Sequence, residues 1–297
     1  MTDEGRARAK RLLRKVPPLR RLIINMASEA SRGHRLEVGM RTVGYELRTR
    51  LLGRPTVAPI GGHSRIIVYP GETNGSHACR NPPNWPEMGV WRQHLRPGDL
   101  FLDVGANIGI YTLFALDLGA EVIACEPDRH NAQRLEENLA LNGFTAEVIQ
   151  KAISDRPGIL RFTQGLDSYN HLVLDGAPTE EISVIIEVEA TTVDDLLGDR
   201  VAAGMKIDVE GAERLVLEGA SRALRDRRIR LIQLEWSERV VHSTLGEGRD
   251  PAWELLAQAG YVLHKADRRT AALSPLGDSP APRKDVFAVP DKPPAHR

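Results

Sequence analysis

The chain has 297 residues, 41% hydrophobic, 27% charged and 5% aromatic, a composition too apolar for disorder and too polar for a membrane-embedded protein. No run approaches the roughly 18 apolar residues of a transmembrane helix, and the basic start broken at Pro17-Pro18 does not read as a secretory leader. Lys and Arg (40) balance Asp and Glu (40), yet residues 1–54 hold 14 against 5, so a basic arm precedes an acidic body. Two cysteines, Cys79 and Cys125, exclude a disulfide framework and a CxxC zinc site, and they fit reduced thiols in a cytoplasm.

In chain order, the first 54 residues read as helical pieces broken at Pro17-Pro18 and near Gly33, closing at Gly53 and Pro55. One β-like run, Arg65–Tyr69, follows, and then a loop to Trp85 rich in Gly, Asn and Pro. Residues 1–85 are thus expected to form a mainly helical N-terminal appendage. From Leu100 the texture changes, and short apolar runs alternate with amphipathic helical ones. That alternation predicts βαβ units and a doubly wound, mostly parallel sheet over residues 86–290, with a disordered tail after it. Strands are expected at Leu100–Val104, Glu121–Cys125, Glu147–Ile153, Met205–Val209, Ile229–Leu234, Tyr261–His264 and Asp285–Val289. Helices are expected at Ile108–Leu118, Asn131–Leu141, Ala212–Leu224 and Ala252–Ala259. Leu160–Thr163 and Ile182–Ala190 read as extended segments either side of a polar loop.

The first βα turn, Asp103-Val104-Gly105-Ala106-Asn107-Ile108-Gly109, carries an acid at the strand end and glycines at 105 and 109. In a doubly wound sheet this turn lies at the carboxyl edge, where ligands bind. A dinucleotide fingerprint would need glycines where Asn107 and Ile110 stand, so that pattern fails twice. The turn suits a ligand without a phosphate. S-adenosylmethionine is one, and Asp103 is then expected to face its ammonium. At the end of the second strand Glu126 stands where a carboxylate can accept both ribose hydroxyls. Ser154 or Asp155, closing the third strand, is the candidate for the adenine amino group, although Asp155 also reads as ordinary turn chemistry.

The fourth major strand, Met205-Lys206-Ile207-Asp208-Val209-Glu210, belongs beside the first, so its end faces the cofactor crevice. Asp208 and Glu210 share a side by strand alternation, unless the chain has already turned into the loop. Such carboxylates favour a cationic donor and can take a proton from a hydroxyl. Glu213 reads better as a first-turn acid facing a helix dipole.

The motifs D-V-G-A-N-I-G at 103–109, A-C-E-P at 124–127 and K-I-D-V-E-G-A-E at 206–213 resemble the FkbM family of S-adenosylmethionine-dependent methyltransferases. The resemblance covers roughly residues 95–240. It implies a class I methyltransferase fold and O-methylation of a sugar or polyketide hydroxyl.

His171 and His242 are further candidate bases, His171 the stronger because its polar loop adjoins the expected cleft. Asp208, Glu210 and Glu235 are hard oxygen donors of the kind magnesium takes, but no metal is assigned, and no histidine pair has ligand spacing. No nucleic-acid partner is expected, because no basic patch is interleaved with aromatics and Asn81-Pro82-Pro83-Asn84 precedes the cofactor turn. The competing reading is a methyltransferase-like domain that has lost activity and serves as a binding module. The retained acids at 103, 126, 208 and 210 speak against it. Self-association stays open at this point.

Overall fold

The computed structural model describes residues 17–28, 31–70, 79–164, 170–173, 184–235, 250–277 and 285–292. The start of the basic arm (1–16), His242 and the tail residues 293–297 lie outside the described residues.

Helices α1 (Pro17–Ala27) and α2 (Arg35–Leu52) pack on each other and lead into an antiparallel hairpin, β1 (Thr56–Ile60) and β2 (Ser64–Val68). Helix α3 (Glu87–His94) then opens the main domain. Its first units are β3 (Leu100–Val104), α4 (Ile110–Asp117), β4 (Glu121–Cys125), α5 (Arg129–Asn142) and β5 (Glu147–Ile149). The chain leaves the main sheet for β6 (Ala152–Ile153), β7 (Gly158–Gln164) and β8 (Val184–Thr191), which form a three-stranded sheet of their own. It returns through α6 (Val193–Leu197) to β9 (Gly204–Ile207), α7 (Glu213–Glu218), α8 (Ser221–Arg225) and β10 (Ile232–Leu234). Helix α9 (Asp250–Gln258) and strands β11 (Tyr261–Ala266), β12 (Leu273–Pro275) and β13 (Val286–Pro290) complete the domain.

The main sheet runs β12-β11-β13-β10-β9-β3-β4-β5. Strands β10, β9, β3, β4 and β5 are parallel, and β13 enters antiparallel between β10 and β11. The chain order reverses at β3, which lies between β4 and β9, so the binding crevice opens at the carboxyl ends of these three strands. Strand alternation feeds two cores. Phe101, Val122 and Phe287 join Trp91 and Phe114 on one face, whereas Leu102, Val104, Ile123, Met205 and Ile207 join Val216, Leu224 and Leu256 on the other.

The appendage is tied to the first face. The hairpin turn donates three amides, Gly62 N, His63 N and Ser64 N, to the Asp117 carboxylate at 2.7, 3.0 and 3.1 Å. Asn138 and Asn142 of α5 accept from Ile67 N and Arg65 N. Among the described residues no helix is long and apolar enough to cross a membrane.

The elements depart from the sequence pattern in several places, four of them with a plain physical reason. The continuous strand expected at Glu147–Ile153 is two strands in two sheets, β5 pairing with β4 and β6 with β8. Apolar periodicity cannot report such a change of partner. The single helix expected at Ala212–Leu224 breaks at Gly219-Ala220, where the Asp194 carboxylate captures Arg222 N and Ala223 N, both at 2.8 Å, and starts α8 afresh. Strand β1 escapes the pattern because it holds Pro59, tolerable in a two-stranded ribbon. Helix α3 had no periodic signal of its own; Met88, Val90 and Trp91 are buried over barely two turns.

Candidate functional site

The cofactor turn is built on close approach. Gly105 has φ +80°, and a Cβ there would lie 1.9 Å from the Asp208 carbonyl oxygen. Only glycine lets the first turn touch the chain leaving β9. The amides of Gly105 and Ala106 both donate to Cys125 O at 2.9 Å, which pins the turn to the end of β4. Asn107 takes φ +50°, a region Asn tolerates. Its own amide donates to Glu126 Oε2 at 2.8 Å, and Asp128 N donates to Glu126 Oε1 at 3.0 Å. The carboxylate is thereby fixed in orientation while 5% exposed, and burial pushes its pKa up to about 7. Gly109, at φ +93°, begins α4 against Leu135.

Asp103 is fully buried on β3. Its Oδ2 accepts from Thr112 Oγ1 at 2.7 Å, while its Oδ1 has no hydrogen-bond partner. Burial raises its pKa. Directly across the parallel ladder stands Lys206, 4% exposed. Its Nζ donates to Asp208 Oδ2 at 2.7 Å and lies 4.8 Å from the centre of the Tyr111 ring. Burial opposes the charge on Lys206, but the Asp208 and Asp103 carboxylates outweigh it and hold the ammonium above its usual pKa.

Strand β9 ends at Ile207, so Asp208 and Glu210 converge in the loop, not by strand alternation. Glu210 adopts φ +52°, a conformation costly for a residue with a Cβ, and such strain concentrates at functional sites. Glu235, following β10, completes the group: one oxygen each of Asp208, Glu210 and Glu235 lie within 4.8 Å of one another. Asp208 and its hydrogen bond push the Glu235 carboxyl well up, with burial adding to the shift. Glu210 rises to about 8 through burial and then Asp208. Glu213 rises to about 7 through burial, its Oε1 accepting from Gly211 N. The oxygen set has hard-cation chemistry, and Lys206 engages one of the two Asp208 oxygens.

Ser154 and Asp155 follow β6, in the small sheet, where Ser154 Oγ donates to Asp155 Oδ1 at 3.0 Å. That sheet reaches the Glu126 corner through Gln164 Nε2, which donates to Asp128 Oδ2 at 3.0 Å. His171 is held at the edge of the same sheet by exchanges with Thr163, its amide donating to Thr163 Oγ1 at 2.8 Å. The remaining members of the site come from residues that sequence spacing did not single out. Gln233 donates to Asp285 Oδ2 at 2.5 Å and to Tyr111 Oη at 3.1 Å, and accepts from Trp91 Nε1. Asp285 is pushed up to about 7 by burial, with the Glu87 and Asp208 charges adding to the shift. Lys206 did carry a signal, a cation inside an otherwise apolar strand. Asp285 carried none, being 77 residues beyond Asp208.

A family model described as methyltransferase FkbM domain matches residues 103–263. The chain is 32% identical over 219 residues to a 31-O-demethyl-FK506 methyltransferase of Streptomyces tacrolimicus, covering 60% of this chain and 83% of that one. A shorter stretch of 61 residues is 36% identical to a ribosomal protein L11 methyltransferase of Helicobacter hepaticus, covering 20% and 19%. Among solved structures, a T. thermophilus 16S rRNA N2 G1207 methyltransferase in complex with AdoMet and guanosine is 15% identical, with a TM-score of 0.43 over 80% of this chain and 50% of that one. A Pyrococcus abyssi tRNA (uracil-54, C5)-methyltransferase in complex with S-adenosyl-L-homocysteine is 12% identical, with a TM-score of 0.44 over 79% and 44%.

Proposed function

Because this chain belongs to the methyltransferase FkbM domain family and its cofactor is S-adenosylmethionine, we propose that it is an O-methyltransferase acting on a hydroxyl of a small molecule, a sugar or polyketide. The observation that carries this reading is the contact between the Gly105 turn and Asp208, which joins the cofactor turn to the carboxylate cluster at one point.

The residues present fit the cofactor. Asp103 Oδ1 is a buried acceptor without a partner, suited to an ammonium, and Glu126 is an oriented carboxylate suited to two ribose hydroxyls. Gly105, Asn107 and Gly109 shape the turn around them, and Ser154 and Asp155 are the candidates for the adenine edge. When bound, the cofactor supplies an electrophilic methyl group on a sulfonium cation. In this reading Asp208, held by Lys206 Nζ, would take the proton of the acceptor hydroxyl. General-base help of this kind contributes roughly 10²–10⁴ in rate. Lys206, paired with Asp208 at 2.7 Å, favours the negative charge on that carboxylate. Glu210 and His171 flank the acceptor. The appendage, residues 1–85, and the polar loop 163–181 choose the acceptor.

The relative from S. tacrolimicus is named for methylation at an oxygen, which supports a hydroxyl acceptor. The test is methyl transfer from isotopically labelled S-adenosylmethionine to a panel of sugar and polyketide alcohols, with the methylated atom identified by NMR. An O-methyl product supports the proposal. Transfer to nitrogen or carbon, or tight cofactor binding with no transfer to any alcohol, overturns it, the latter in favour of a binding module.

A further inference from the structure

Helix α2 carries a second pattern, on the side away from the body. Val38, Gly39, Thr42, Tyr45, Glu46 and Thr49 are its buried face. Opposite them stand Leu36, Met40, Val43, Leu47 and Leu51, spaced 4, 3, 4 and 4 residues apart, so that they share one arc at 3.6 residues per turn. They are 80%, 69%, 47%, 52% and 74% exposed, and Ile23 and Ile24 of α1 are 45% and 51% exposed. Single exposed apolar residues need no explanation, but a contiguous stripe on a soluble surface marks an interaction site.

Charge identifies the occupant. Exposed Arg48 and Arg50 border the stripe on either side, Arg50 also pairing with Glu46 at 2.6 Å, and Arg32, Arg35 and Arg54 stand exposed near its ends, against one exposed acid of the helix, Glu37, which pairs with Arg41. The whole of residues 1–54 carries 14 Lys and Arg against 5 Asp and Glu. A two-fold contact through α2 would bring two such basic segments together, a like-charge arrangement. An anionic lipid surface reverses the sign and attracts each Arg or Lys near it. Long arginine side chains can also lie along apolar surface while their guanidinium groups reach the headgroups. A helix with an apolar stripe and a basic border lies in the plane of such a surface.

We propose that α2 docks this protein on an anionic lipid bilayer, with Leu36, Met40, Val43, Leu47 and Leu51 entering the interface. The test is flotation of the full chain with vesicles of phosphatidylcholine alone and of phosphatidylcholine mixed with phosphatidylglycerol. The protein is expected to float with the anionic vesicles only, and less so at high salt. The double substitution Leu47→Ser, Leu51→Ser is expected to weaken vesicle binding at least roughly tenfold. Both side chains are exposed, so affinity for S-adenosylhomocysteine should be unchanged, which separates lost docking from lost folding. Failure to float with anionic vesicles, or equal flotation of the double variant, overturns the proposal. So does a dimer in lipid-free buffer that the double variant dissociates, since the stripe would then be a contact between two copies.

Discussion

Lys206 and Asp208, two residues apart at the end of one strand, form an ion pair of 2.7 Å in which the lysine is nearly inaccessible and the aspartate side chain keeps 27% of its exposure. The buried cation thus holds a carboxylate at the rim of the crevice. Asp208→Asn should leave affinity for S-adenosylhomocysteine within a few-fold of the parent and lower turnover by roughly 10²–10⁴. Calorimetry and single-turnover kinetics together decide this, and unchanged turnover would remove Asp208 from the mechanism.

Lys206→Met tests the other half of the pair. Removing one partner of a buried pair leaves uncompensated carboxylates, at a cost of about 3 kcal/mol. Without the ammonium, Asp208 faces the other carboxyls of the cluster uncompensated, which favours its protonated form. The acid limb of the pH–rate profile should therefore move to higher pH, an effect that simple loss of stability would not produce.

Glu126 is expected to bind ribose as an anion, yet burial raises its pKa to about 7. Affinity for S-adenosylhomocysteine should rise with pH through about 7, and Glu126→Gln should flatten that dependence while weakening binding. A pH-independent affinity in the parent protein would show that this carboxylate does not ligate the cofactor.

The cofactor-free protein should itself lose stability as pH rises. Glu126, Glu213 and Asp285 titrate at about 7 and Glu210 at about 8, against ordinary values of 4.5 for Glu and 3.8 for Asp. Between those limits the folded state binds more protons than the unfolded one, so unfolding becomes easier as pH increases. Melting temperatures at pH 5.5 and 8 give the comparison; a higher value at pH 8 would contradict the burial of these carboxyls.

Two glycines of the same turn should respond unequally to alanine. Both Gly105 and Gly109 hold positive φ, which costs an alanine roughly 1–2 kcal/mol. At Gly105 the new Cβ also meets the backbone oxygen of Asp208 at 1.9 Å, whereas at Gly109 it meets the flexible end of Leu135 at 2.3 Å. Denaturant titration should show Gly105→Ala as much the more damaging.

The turn at 103–109, the carboxylate at 126 and the acids after β9 were legible because each is a local string at the end of an apolar run. The doubly wound order was legible from alternation alone. What escaped depends on contacts distant in sequence. Asp285 reaches the site only because β13 enters antiparallel beside β10, which brings Gln233 against it. The break between α7 and α8 depends on Asp194, nearly 30 residues away. Lys206 stood within a motif whose acids drew the chemistry, although its burial makes it their counter-ion.

Asp117 closes α4, the helix that begins directly after the cofactor turn, and its carboxylate grips the amides of the β1–β2 turn. One rod of eight residues therefore has the methyl donor's cradle at one end and the appendage's hairpin at the other. The appendage is thus set at a fixed distance from the crevice, on the order of 12 Å along the helix axis at 1.5 Å per residue.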